Sequence, residues 1–392
     1  MTEQQSTLIT LIKSALNGTS YTLPENSALT EAFQVAVRHG VDVMAYYGAL
    51  NCEIDKDSEW MRGELMRVFQ SLSVSETQMA EVRRVTDVFE ARGIDHMPLK
   101  GALLKSLYPK AEMRRMGDAD ILINCEQYET IREIMSELGY TEKYESDHEL
   151  AWDKKPVHIE LHKRLIPSYN KDYYSYYGDG WRLAKHTDGY SFRYGMDAED
   201  EMIYLFTHFA KHYRDAGIGI RHLVDLWVFR NHHPELNETS ISDELQKLQL
   251  LEFYDNVVRT LQVWFEDRSE DDITDFITNV IFSSGEYGRS QASNLSSAVK
   301  SSKTEKSAEA IKRKRIFKLL FPKYADMKKK YPFLAKAPFL LPIMWLVRIF
   351  DQMFRFKKIR RFVDNKLSFN DSEVSEYQQS LNYVGLDFNF TE

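Results

Sequence analysis

At 392 residues the chain is long enough for two or three domains with an ample core, and 43% hydrophobic with 28% charged residues is an ordinary globular composition. Two cysteines, Cys52 and Cys125, exclude a disulfide framework and suit a reducing compartment. The net charge of −8 hides an asymmetry: residues 300–366 carry 20 Lys/Arg against 5 Asp/Glu, a local +15 that leaves −23 on the remainder.

The start, MTEQQSTLITLIKSAL, shows no basic n-region followed by an apolar h-region, so no signal peptide and a cytoplasmic location are expected. Residues 3–92 repeat apolar positions every three or four residues, in TLITLIKSAL, ALTEAFQVAVRHG and SEWMRGELMRVFQ onward, and read as helices closed by Gly93. The period then changes. IDHMPLK reads as a strand, GALLKSLY as a helix, DADILIN as a strand and EQYETIREIMSELGY as a helix. YTEKYE, HELAWD and VHIELH follow as strands, so residues 93–196 make a small mixed α+β domain.

Helical spacing returns at 197–285, with Asp197 as N-cap and helices at AEDEMIYLFTHFAKHY, GIRHLVDLWVFRNHH and LLEFYDNVVRTLQVWF. SSGEYGRSQASNLSS reads as a loop, and residues 286–392 as a basic helical region with an extended tail from Ser368. PFLAKAPFLLPIMWLVRIFDQMF is the most apolar stretch, but prolines, Arg348 and Asp351 interrupt it, so a buried helix is expected rather than a membrane span. The basic 300–366 region reads first as solvated helix faces. An anionic partner, a membrane surface or docking on the acidic body are its alternatives.

The chemistry gathers around MRRMGDADILIN. Strand alternation puts Asp118 and Asp120 on one face, with Ala119, Ile121 and Ile123 on the other. In VHIELH, Val157, Ile159 and Leu161 make an apolar face, while His158, Glu160 and His162 share the opposite one. If the two strands pair, three carboxylates meet, and a cation must neutralise them. Oxygen ligands favour Mg²⁺ or Mn²⁺, and two such ions are the usual clamp for in-line nucleotidyl transfer. On this crowding, Asp120→Ala is expected to leave the metal-free fold unharmed. The HxExH spacing has two other readings, an exposed polar face or a zinc site. Upstream, Gly101 marks a strand-to-helix turn whose backbone N–H groups suit phosphate, with Lys100 and Arg114 adding positive charge. His208 and His212 share a helix face at metal-ligand spacing, more often simply a polar face.

LKGALLKSLYP, RRMGDADILI and VHIELHKRL together resemble the uncharacterised nucleotidyltransferase-like family of the DNA polymerase beta superfamily. The matching positions are Lys100, Gly101, Arg114, Gly117, Asp118, Asp120, Glu160 and His162. THFAKHYRDAGIGIRHLVDLW adds His208, Lys211, His212, Arg221 and Asp225. The resemblance implies a polymerase-beta-like mixed-sheet domain flanked by N- and C-terminal helical regions. It also implies catalytic, metal-binding roles for Asp118, Asp120 and Glu160, and nucleotide binding by Lys100, Gly101, Arg114, Gly117, His162, Lys211 and His212. The expected partners are an NTP, ATP among the options, and an unidentified hydroxyl acceptor. One departure is Gly101-Ala102 where the superfamily carries Gly-Ser, which removes a phosphate-facing hydroxyl. A nucleotide-binding module without turnover and an RNA-directed enzyme are the alternatives.

Overall fold

In the computed structural model, which describes all residues except 24–27, 53, 55, 57, 58, 216, 286–289, 303–306, 354–366, 368 and 388–392, the alternating runs form one mixed sheet. Its strands are β1 (His96–Pro98), β2 (Ala119–Ile123), β3 (Thr141–Glu145), β4 (Glu149–Lys154) and β5 (Val157–His162), in the order β1-β2-β5-β4-β3. Only β2 and β5 are parallel; every other pair is antiparallel. The α+β class expected from the sequence is the class observed.

The register follows from burial. Ala119, Ile121, Ile123, Ile159 and Leu161 turn to one side and pack on Val85 and Phe89 of the helix Glu59–Ala91 and on Ile131, Ile134 and Met135 of the helix Tyr128–Glu137. A one-residue slip would swap the two faces, so this apolar set pins the pairing. It places Asp120 directly opposite Glu160. Ile121→Ala, at a fully buried position, is expected to cost about 2–5 kcal/mol by leaving a cavity, measured as a shifted urea midpoint with an unchanged slope.

Two compact units divide the chain: Met1–Tyr213, Gly217–Gly288 and Val384–Glu392 form the first, Arg214–Ala216 and Arg289–Tyr383 the second. In the first, the expected helices stand at Glu3–Asn17, Leu29–Arg38, Glu59–Ala91, Ile220–His232 and Leu251–Phe265, with AEDEMIYLFTHFAKHY inside Ala198–Asp215. Gly93 closes the long helix in the left-handed conformation, φ +70°. Asp42–Asn51, Glu238–Lys247 and Asp272–Ser284 are further helices inside the spans read as helical, and Lys171–Tyr177 is a helix that was not expected.

The second unit corrects three expectations. The serine-rich stretch is helical over Ser290–Ser302, while positions 286–289 of the expected loop lie outside the described residues. The tail carries a helix, Asp371–Tyr383, because Asn370 and Glu373 satisfy each other's backbone N–H groups in a capping box; positions 388–392 lie outside the described residues. The apolar helix Leu341–Met353 is not buried: Ile343, Leu346, Val347 and Phe350 are all exposed. Positions 303–306 and 354–366 of the basic region also lie outside the described residues. No helix among the described residues is long and apolar enough to cross a membrane.

Candidate active site

On the sheet face away from the core, a cavity of about 340 Å³ opens over the ends of β2 and β5. All ten residues singled out in the sequence line it: Lys100, Gly101, Arg114, Gly117, Asp118, Asp120, Glu160, His162, Lys211 and His212. Their placements differ. Asp118 is exposed and precedes β2, whereas Asp120 lies inside the strand and is only 6% exposed. Among the described residues, the group whose ligand atoms converge within 4.8 Å is Asp120, Glu160 and His162, and it could hold a metal ion. His158 bonds Asp153 through Nδ1 and lies 3.5 Å from Glu160 through Nε2, outside that converging group.

Positive charge lies beside Asp120. The Lys100 ammonium is 3.7 Å from one Asp120 oxygen, and His162 Nε2 is 2.7 Å from the other. Burial works against the Asp120 carboxylate, but Lys100, the His162 hydrogen bond and Arg114 outweigh it and hold the group far below the usual carboxylate range. Reciprocally, Asp120 overcomes burial at Lys100 and keeps its ammonium above the usual lysine range. Asp120 is therefore a buried counter-ion, and the expectation that its removal is harmless is corrected. The crowding falls on Glu160, which burial, Asp118, Glu149 and Asp120 all push upward.

The turn before Gly101 also differs from expectation. Lys100, not the glycine, holds the left-handed backbone, φ +37°. Gly101 serves close approach, because a Cβ there would lie 3.0 Å from Met116 Sδ. The following helix, Gly101–Lys105, has five residues, so its dipole contributes little. Arg114 is bound to Asp225, with Nε to Oδ1 at 2.7 Å and Nη2 to Oδ2 at 2.9 Å, while Tyr108 donates to the same carboxylate at 2.7 Å. Its remaining arm reaches the Gly101 carbonyl at 3.4 Å. Arg114 thus braces the turn from within the cavity lining. Ala102 packs into the hydrophobic core, so the position of the missing serine does not face the cavity.

Glu149 and His222 also line the cavity and were not singled out. Glu149 stands opposite His162 on β4 and shares Tyr144 with Glu160, at 2.9 and 3.2 Å from the phenol oxygen. His208 and His212 lie Nε2 to Nε2 at 3.0 Å, with the His222 ring about 6 Å from each. Burial, followed by Lys100, pushes His208 far down, so it is neutral at pH 7.

Near Lys100, Glu201 is 6% exposed, and burial raises its carboxyl to about 7 against the pull of Lys100. A raised folded value means the fold favours the protonated acid, so stability is lost as pH climbs from about 4.5 through 7. Glu201→Gln is accordingly expected to melt higher than wild type at pH 8, by up to about 3 kcal/mol, with the difference vanishing near pH 4. Thermal melts across that range check it.

Sheet and cavity together define an α+β protein with a nucleotidyltransferase-type core. The chain belongs to the uncharacterised nucleotidyltransferase family, whose sequence model matches residues 26–266. No curated protein matches it. Among solved structures, the antibiotic-resistance factor ANT(2'')-Ia, described in solution with substrate-regulated conformation dynamics, is similar over 50% of this chain and 100% of that one, at 10% identity and a TM-score of 0.34.

Proposed function

We propose that the protein transfers a nucleoside monophosphate from an NTP to an acceptor hydroxyl with a divalent cation, Mg²⁺ or Mn²⁺. The observation that carries this reading is the in-register pairing of Asp120 with Glu160, with Asp118 at the strand mouth, in a cavity that also holds Lys100 and Lys211. The carboxylates fit such a cation: Asp120 and Glu160 converge, and Glu160 carries repulsion that a dication relieves. Asp118, Asp120, Glu160 and His162 would hold it, and its chemistry is charge neutralisation and orientation of the phosphates.

In the step itself the acceptor oxygen bonds to the α-phosphorus and the bond to the bridging oxygen breaks. Pyrophosphate leaves with the electron pair, and the acceptor proton passes to the Glu160 carboxylate. Lys100, Lys211 and the backbone at Gly101 hold phosphate oxygens, with Gly117 giving access. His212 faces the nucleotide, and Arg114 positions the turn. Catalysis is then mostly placement and electrostatics. Residues 93–196 act as the catalytic core, with 1–92 and 197–285 as its helical supports and 286–392 as an appended basic region. Turnover, rather than binding alone, is favoured because Ala102 faces the core and not the cavity.

A melting series with each NTP, with and without Mg²⁺ or Mn²⁺, tests this. Stabilisation is expected only when nucleotide and cation are both present, about 2.7 kcal/mol at roughly a hundredfold excess over Kd. It should vanish in Asp118→Asn. Equal stabilisation without a cation, or in that variant, overturns the reading.

A further inference from the structure

A second cavity, of about 290 Å³, lies on the other side of the strap that carries Met116 and Gly117; these two residues line both spaces. One wall is a single face of the helix Glu59–Ala91, where Arg67, Gln70, Ser71, Val74, Ser75 and Gln78 recur at three- and four-residue spacing. An amphipathic helix normally turns apolar side chains inward. Here two polar residues, Ser75 and Gln78, are buried on the wall, while Arg67, Gln70 and Val74 stand at its exposed edge.

The other wall brings Lys105 and Arg115. The Lys105 ammonium is 1% exposed, and its hydrogen bond among the described residues goes to the Arg114 carbonyl at 2.6 Å, although an ammonium has three donors. Ser75 is 3% exposed and its hydroxyl has no partner. A helical serine usually bonds back to the preceding turn, so an orphan hydroxyl on a cavity wall points to a ligand. The two arginines have their acidic partners to the side. Arg67 lies 3.6 Å from Glu64 and Arg115 2.9 Å from Asp42, a single carboxylate each among the described residues, which leaves guanidinium donors for an anion in the cavity.

The strap itself is fixed. Lys105, Arg221 and Gln78 donate to the successive carbonyls of Arg114, Arg115 and Met116 at 2.6, 2.7 and 2.8 Å. A ligand in the second cavity therefore meets a rigid wall, and its open edge is the exposed Gly117, one residue before Asp118.

We propose that this second cavity binds the anionic group of the acceptor, so that the acceptor is a hydroxyl compound bearing a phosphate or carboxylate. Arg67, Lys105 and Arg115 receive the anion, Ser75 donates to it, and the hydroxyl crosses Gly117 to the side of Asp118 and Glu160. The acceptor role rests on the nucleotidyl-transfer reading; the anion site does not.

Calorimetric titration with inorganic phosphate, glycerol 3-phosphate, lactate and glycerol tests it, with and without a saturating uncleavable Mg²⁺–NTP analogue. Wild type is expected to bind phosphate, glycerol 3-phosphate or lactate but not glycerol, and to do so as well with the analogue bound as without it. Phosphate against lactate then separates a phosphate from a carboxylate acceptor. Arg67→Gln, which alters a half-exposed side chain, and Ser75→Val, which covers the cavity wall with methyls, should each weaken anion binding at least tenfold. Both should leave the analogue's affinity unchanged. No anion binding in wild type, undiminished binding in both variants, or exclusion of the anions by the analogue overturns the proposal. Failure of the analogue to bind wild type sinks the nucleotidyl-transfer reading and the acceptor role, and leaves the anion site to be judged on its own arm.

Discussion

Asp120→Ala is expected to destabilise the metal-free protein by about 3 kcal/mol, because it leaves the largely buried Lys100 ammonium without its nearest counter-ion. Asp120 is itself 6% exposed and bonded to His162, so its removal also leaves that imidazole without its partner. The same change removes an oxygen from the converging group, and transfer should fall at least about a hundredfold. Stability and activity are separable: Lys100→Met added to Asp120→Ala removes the unpaired charge, so it should restore part of the stability and none of the activity. Urea unfolding of both variants checks this. Wild-type stability in Asp120→Ala would show that Lys100 has another counter-ion.

Asp225→Ala is expected to do comparable damage through a different network. Arg114 and Tyr108, each 5% exposed, both bond to this carboxylate, and cutting it away strands a guanidinium and a phenol together. A loss of about 3–5 kcal/mol follows from the unpaired buried charge. The Gly101 turn loses its brace as well, so nucleotide affinity should drop in whatever protein remains folded. A double-mutant cycle with Arg114→Met measures the coupling, which should reach at least about 1.5 kcal/mol. A cycle that closes to zero would mean that Arg114 holds the turn without Asp225.

Much of this architecture is legible in the chain because strands write their faces in steps of two. The alternation of Ala119, Ile121 and Ile123 against Asp120, and of Val157, Ile159 and Leu161 against Glu160 and His162, is enough to bring the acids together once β2 and β5 pair. What stays hidden depends on distance or on composition. The Arg114–Asp225 pair spans 111 positions, and no local pattern reports it. Lys100 adopts a left-handed backbone that reads more naturally as the neighbouring glycine's task. Helix Asp42–Asn51 lies inside the span read as helical, but it is buried on nearly every side and lacks the polar stripe that would mark its bounds. Serine content disguises Ser290–Ser302, whereas the helix at Asp371–Tyr383 is announced by the capping spacing of Asn370 and Glu373.

The central claim concerns which phosphorus is attacked. Protein incubated with a cell extract and Mg²⁺ or Mn²⁺ should be given each NTP labelled once at the α-phosphorus and once at the γ-phosphorus. The account predicts label in a new product from the α-labelled nucleotide only, release of the γ-label as pyrophosphate, and neither event with Asp118→Asn or Glu160→Gln. Label appearing in the product from the γ-position, or undiminished transfer by those variants, would contradict it.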